Sequence, residues 1–327
     1  MAELVLKSQR FRAEREADWR RLEALLAKAE GGSAARLSRE ELLELPVLYR
    51  SALSSLSVAR SISLDQGLID YLESLCTRAY FFVYGARSTL LARMGGFFTH
   101  DWPAAVKGLW RETLVSLAIT LLGVVVAAAL VAGDPDWFYA FVPSELAGGR
   151  DPSASAAFLR ATLYDDHDGK SVFATFLFTH NAQVALFAFA LGFALCLPTA
   201  GLMIHNGLML GAFLALFASH GLGLEAGGWL MIHGATELFA IVLAGAAGFS
   251  IGWAVVFPGE TSRMSAAAAA GRRAAVVMIG VVVMLFLAGL LEGIGRQAVR
   301  ADALRWTIAA ASLSLWLAYF YLPRKTP

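Results

Sequence analysis

Two spacings of apolar residues divide the chain. Up to about residue 110, apolar side chains recur every three or four positions among charged ones, as on amphipathic helices. Beyond it come runs of about twenty apolar residues separated by short polar breaks, the length a helix needs to cross a bilayer core. In the first part, Leu22, Leu25, Leu26 and Ala29 follow Trp19 at helical spacing, and Gly31-Gly32-Ser33 is expected to end that helix. Ser38-Arg39-Glu40-Glu41 has the form of a capping box, in which a hydroxyl and a carboxylate three residues apart satisfy free amides at a helix start. Pro46 is expected to kink or restart that helix. Asp65 opens a third run reaching about Arg93, where Gly95-Gly96 is expected to stop it. Phe97, Phe98 and Trp102 then precede Pro103, with Lys107 and Arg111 after it; aromatic rings beside basic groups predict an interfacial linker helix feeding the first span.

The later runs predict six spans, at 114–132, 172–197, 199–219, 228–254, 274–293 and 306–322. The first holds no charge, and at about 1.5 Å per residue it covers roughly 28 Å, one bilayer core. Pro198 falls at the turn or first helical position between the second and third spans. Residues 133–171 are the only long connection, with a short surface helix expected over Ser153–Leu163, and Ala266–Ala270 beside Gly271-Arg272-Arg273 reads as an inner loop. The predicted fold is all-α, a polytopic membrane protein with a helical cytoplasmic domain and linker at 1–110 and a transmembrane domain at 111–327. An even number of spans puts both termini on one side. With them inside, eight basic residues near span ends (Arg93, Lys107, Arg111, Arg263, Arg272, Arg273, Arg324 and Lys325) face the cytoplasm. Six (Arg150, Arg160, Lys170, Arg296, Arg300 and Arg305) face outward. That bias favours cytoplasmic termini.

Composition agrees. Of 327 residues, 57% are apolar and only 16% charged, with mean hydropathy +0.59, against roughly 25% charge in a soluble domain. Residues 1–113 carry 16 Lys/Arg and 14 Asp/Glu, leaving 11 and 12 for the rest. This excludes an ordinary soluble enzyme and a nucleic-acid binder with a basic surface. The first 30 residues, charged and amphipathic, are unlike a signal peptide. Cys76 and Cys196, both read at the cytoplasmic side, imply neither a disulfide framework nor a Cys-rich metal site.

Candidate chemistry is confined to polar residues at membrane depth, where an ionisable group costs around 2.5–3.5 kcal/mol and normally faces protein or a wet cavity. His233, Thr236 and Glu237 fall within about 100° of one another on the fourth span. Glu237 lies about 14 Å from the outer start of that span. His180 and Asn181 on the second span share its depth. Asn206 on the third lies somewhat deeper and Glu292 on the fifth shallower. A polar layer of Asn181, His233 and Glu237, joined by His180, Asn206 and Glu292, is therefore expected in the outer half of the bundle. Thr175, Thr179 and Gln183 add a second polar side to the second span. Three readings fit: buried hydrogen bonds that tie helices together, a cavity passing an ion, proton or small solute, or a metal site. His233 and Glu237 supply two possible ligands, short of a zinc set, and no cofactor is implied. No His-Glu-x-x-His, Walker loop or Gly-x-Ser-x-Gly occurs, so the chain is read as a non-enzyme. Gly207/Gly211, Gly248/Gly252 and Gly289/Gly293 form small-residue faces suited to close packing. With the Leu-rich first helix they motivate a homodimer.

Several stretches together resemble the stage II sporulation protein M family of integral membrane proteins. In the head these are Leu48-Tyr49-Arg50, Ala59-Arg60-Ser61, Tyr71-Leu72-Glu73-Ser74-Leu75, Arg78-Ala79-Tyr80 and Tyr84, followed by Phe97-Phe98 through Trp102-Pro103. In the membrane half they are Phe178-Thr179-His180-Asn181 with Val184-Ala185-Leu186, His205-Asn206-Gly207-Leu208-Met209-Leu210-Gly211, and His233-Gly234-x-x-Glu237-Leu238. The chain departs from the pattern at or beside Glu73, where the family often has Asn. The resemblance marks Asn181, Asn206, His233 and Glu237, the residues that depth alone selects. It implies a multi-pass membrane protein whose named family member acts in a septal machine with peptidoglycan hydrolases. Two functions follow as expectations: a transporter- or channel-like protein with Glu237 as gate or coupled ligand, or a scaffold binding cell-envelope partners through the head and the 133–171 loop. An intramembrane hydrolase is a weaker third. The expected partners are the bilayer, a second copy and such envelope proteins, and no nucleic acid.

Overall fold

The computed structural model describes residues 2–30, 37–62, 65–84, 90–164, 170–295 and 299–323. Among these the secondary structure is helical, with no strand. The chain forms two compact units, Met1–Ala92 and Arg93–Pro327. The linker aromatics thus group with the membrane half.

Three helices build the first unit: α1 (Ala2–Glu30), α2 (Arg39–Ser61) and α3 (Gln66–Tyr84). Gly31-Gly32-Ser33 lies outside the described residues. Trp19, Leu22, Leu25 and Leu26 are buried against Leu45, Ala52, Leu68, Leu72 and Leu75, one face from each helix. The capping box forms as its spacing predicts: the Glu41 amide donates to Ser38 Oγ at 3.2 Å, and the Ser38 amide donates to Glu41 Oε2 at 2.8 Å. Lys28 Nζ adds a 2.8 Å contact, holding the Glu41 carboxyl below its ordinary range. Pro46 does not restart the helix. α2 runs through it, because the Leu45, Leu48 and Tyr49 side chains around the missing amide are held in the core. Glu73, at the departure from the family pattern, pairs with Arg60 at 2.7 Å.

The second unit begins within α4 (Leu90–Gly96). Gly95-Gly96 does not stop this run: the chain winds on through a π turn (Phe97–Asp101) into α5 (Trp102–Gly108), with Pro103 in the first turn. Tertiary packing overrides the weak propensity of glycine here. The Trp102 indole is 2% exposed and touches the rings of Phe97, Trp316, Tyr319 and Phe320, while the Tyr319 hydroxyl donates to the Phe98 carbonyl.

Among the described residues, five helices are long and apolar enough to cross a membrane: α6 (Trp110–Gly133), α11 (Leu197–Ser219), α12 (Gly223–Val256), α13 (Arg263–Leu290, running on to Gly293) and α14 (Asp302–Tyr321). Between α6 and α11 lie short helices α7 (Trp137–Phe141), α8 (Ser144–Ala147) and α9 (Ala156–Tyr164), then α10 (Lys170–Ala190). The second expected span is thus a shorter helix, closed by a 3-10 turn at Leu191–Phe193 and left-handed backbone at Leu195 and Cys196. Pro198 sits in the first turn of α11, where its missing amide costs nothing. Ala266–Ala270 is not a loop but the opening of α13. Alanine has the highest helix propensity, and Ser262 caps the start by accepting from the Ser265 amide at 3.2 Å. A π turn at Leu291–Gly295 carries Glu292.

The longest helix, α12, is central, packing against α6, α10, α11, α13 and α14. Backbones approach closely where glycines allow it. Gly207 and Gly211 face the Thr120 and Val124 carbonyls of α6. Gly248 and Gly252 face the Ala188 carbonyl, Thr199 and Cys196 at the corner between α10 and α11. These two glycine faces and the Leu-rich face of α1 therefore pack within a single chain, whereas on the third face Gly289 meets the Phe178 ring and Gly293 has nothing within 4 Å of an added Cβ.

Candidate functional site

α12 presents its polar face inward. His233, Thr236 and Glu237 are 1%, 2% and 5% exposed, as a charge near mid-bilayer requires unless it faces water. The Asn181 side chain, from α10, and Glu292, from the π turn, both lie within interaction range of the Glu237 carboxyl group. His233 Nε2 stands 4.0 Å from Glu237 Oε2, and its ring meets Trp229 edge to face at 6.4 Å between centroids. Thr236 turns toward α14, where Trp316 Nε1 donates to its Oγ1 at 3.1 Å.

Asn181, Asn206 and Glu237 converge on one cavity of about 130 Å³. Its walls differ from the polar cavity expected. Met209, Leu210, Phe213, Trp229 and Leu230 make most of the surface, and the polar groups gather at one end. At the other end is Arg150, a buried guanidinium that donates to the Ala147 carbonyl at 2.9 Å and the Leu146 carbonyl at 3.1 Å while lying 5.4 Å from the Phe213 ring centroid. Leu163 of α9 also lines the cavity.

The structure therefore brings Asn181, Asn206 and Glu237 together, with His233 and Glu292 buried behind them. It does not add His180. One residue on from Asn181 means about 100° around the helix, so His180 is half-buried and in electrostatic range of His205 instead. Thr179 and Gln183 are exposed, so the described part of α10 buries one polar side rather than two; the side chain of Thr175 lies outside the described residues. Among the described residues, no group of three or more His, Cys, Asp or Glu side chains could hold a metal ion.

A second polar cluster escaped the sequence reading. Arg305, 1% exposed, donates to the Val299 carbonyl at 3.0 Å, to Asp302 Oδ1 at 3.2 Å and to the Leu163 carbonyl at 3.3 Å, and lies 4.9 Å from the Tyr164 ring centroid. The Tyr164 hydroxyl donates to Asp302 at 2.8 and 2.9 Å. Burial and that carboxylate push the Tyr164 phenol up to about 12. Arg160 pairs with Glu225 at 2.8 Å. These contacts fasten α9 to the N-terminal ends of α12 and α14. By charge counting Arg150 and Arg305 are merely outer cations; only the turn signal Gly148-Gly149 before Arg150 hints at a built structure.

The family model for stage II sporulation protein M matches residues 110–295, more than half of the chain. The chain belongs to that family. All six polar-layer positions lie inside the matched region. A separate domain of unknown function (DUF8413) matches residues 9–85, inside the first compact unit. No curated protein and no solved structure matches this stage II sporulation protein M family member.

Proposed function

We propose that this family member is a carrier-like membrane protein whose cavity receives a small solute in the outer half of the bundle, with Glu237 as the group that binds or gates it. The observation supporting this is the convergence of Asn181, Asn206 and Glu237, from three different helices, on one cavity. A bundle needing only glue could pair its polar groups without a cavity. The apolar walls favour a small solute over a hydrated ion, which would lose its water shell there without replacement. In this reading the protein has no catalytic role, sits in the bacterial plasma membrane, and has both termini in the cytoplasm.

The test is flux into vesicles reconstituted with the full chain. Glu237→Gln keeps the shape and removes the charge, so it should lower the flux of a transported solute at least tenfold. Equal flux in both proteins across a broad panel of solutes would sink the carrier reading.

A scaffold reading is supported by a different feature. The head is a compact unit with its own core and ion pairs Arg21–Glu44, Lys28–Glu41 and Arg60–Glu73, more than a minimal carrier requires. Crosslinking in native membranes should then recover a defined cell-envelope protein bound to the head or the 133–171 loop.

A further inference from the structure

We infer that the cavity is a site for an unbranched amphipathic cation, an alkylammonium whose head lies among Asn181, Asn206 and Glu237 and whose apolar chain extends toward Arg150. The inference rests on the cavity described above and narrows the class of solute proposed for it.

Shape comes first. The lining runs from Asn206 to Phe217 on α11 and from Ala226 to Leu238 on α12, about three turns or roughly 16–18 Å on each helix. A volume of about 130 Å³ drawn out over that length is one chain wide. A compact apolar cavity of about this volume accepts a benzene-sized molecule; an elongated one suits a chain of similar atom count.

Polarity sets the direction of the chain. The polar end offers the Glu237 carboxylate and two carboxamides, and the Asn181 side chain already engages Glu237. An ammonium has three N–H donors, matching the Glu237 carboxylate and the carboxamide oxygens of Asn181 and Asn206. At that end the lining supplies the Glu237 carboxyl group and no basic side chain, which favours a cationic head over an anionic one. Between the ends, Met209, Leu210, Phe213 and Leu230 offer only apolar contact. An alkyl carboxylate with its head at Arg150 would push its methyl end against Glu237, burying that group without a polar neighbour in the ligand. Arg150 also already spends two donors on the Leu146 and Ala147 carbonyls.

The test uses the full chain in lipid nanodiscs, with n-hexylamine, n-hexanol and hexanoate titrated by calorimetry. Hexylamine should bind most tightly, hexanol more weakly and hexanoate least. In Glu237→Gln the amine should lose roughly tenfold or more in affinity, the scale of a charge-assisted hydrogen bond, while hexanol changes little. Hexanoate binding as well as hexylamine, or an amine affinity untouched by E237Q, overturns the inference. Should E237Q fail to fold, an alkylamine with a diazirine at its tail is photolysed in the wild-type protein. Crosslinks at Leu210–Phe213, competed by hexylamine, support the site; crosslinks elsewhere overturn it. Tight amine binding without amine flux would refute the carrier reading alone, whereas flux of another solute without amine binding would refute this inference alone.

Discussion

Replacing one glycine in α12 separates close helix packing from helix propensity. Gly248 has the Ala188 carbonyl and Thr199 Oγ1 where a Cβ would go, and Thr199 Oγ1 donates to that carbonyl at 2.7 Å. The first obstacle is backbone, which cannot rotate away as a side chain can. Gly248→Ala must therefore separate α12 from the corner between α10 and α11. Overpacking of this kind costs about 1–3 kcal/mol, and disturbing the Thr199 bond adds about 0.5–1.5 kcal/mol. Alanine returns about 1 kcal/mol of helix propensity, leaving a net loss of roughly 0.5–3.5 kcal/mol. For a unit of this size each kcal/mol moves the melting temperature by about 2–4 °C. The control is Gly271→Ala in α13, where nothing lies within 4 Å of the added Cβ. There the propensity gain stands alone, and stability should rise by about 0.5–1 kcal/mol. Melting of both variants in one mild detergent, followed by helical circular dichroism, gives the comparison. If both variants shift the midpoint upward, α12 does not make the contact described, and the placement of Glu237 that depends on it fails too.

The clasp around α9 and the head give further expectations. Tyr164 holds its proton to about 12 against an ordinary 10.0, so its contribution is complete below about pH 10 and disappears as pH rises through 12. The alkaline loss of stability in that window should be smaller in Tyr164→Phe than in wild type, as urea titrations at stepped pH would show. Arg305→Met leaves the Val299 and Leu163 carbonyls without their donor and should cost about 1–3 kcal/mol for each. Hydrogen exchange over Ala156–Tyr164 should speed up, and unchanged protection there would refute the clasp. In the head, Ser38→Ala removes half of the capping box and should cost about 1 kcal/mol, seen as faster exchange of the first α2 amides in the intact chain. Glu41, held low by Lys28, contributes above its ordinary 4.5 and loses that contribution as pH falls through its lower folded value, so the same amides should loosen on acidification.

How much could be read in advance depended on range. Helix existence was legible, because a three- to four-residue period or a twenty-residue apolar run is a local property. So was the capping box at Ser38 and Glu41, whose two hydrogen bonds span three residues. The inward turn of Glu237 was legible for a harsher reason, since a carboxylate against lipid is too costly to persist. Where local rules failed, neighbours had overruled them: Gly95-Gly96 continues as helix beside the buried Trp102, Pro46 stays helical over the head core, and the alanines before Gly271 wind up as α13.

The chain alone determined its class and its polar inventory: a charged helical head, apolar spans, and Asn181, Asn206, His233, Glu237 and Glu292 available for burial. Only the tertiary structure decided which of them meet. It set Asn181, Asn206 and Glu237 around one cavity, turned His180 aside, made the walls apolar, and gave Arg150, beside the Gly148-Gly149 turn, and Arg305, in the first turns of α14, buried positions. The physical reason is that a residue's helical face follows from its spacing along the chain. What lies opposite that face depends on helices brought together from distant parts of the sequence, at separations set by glycines such as Gly248.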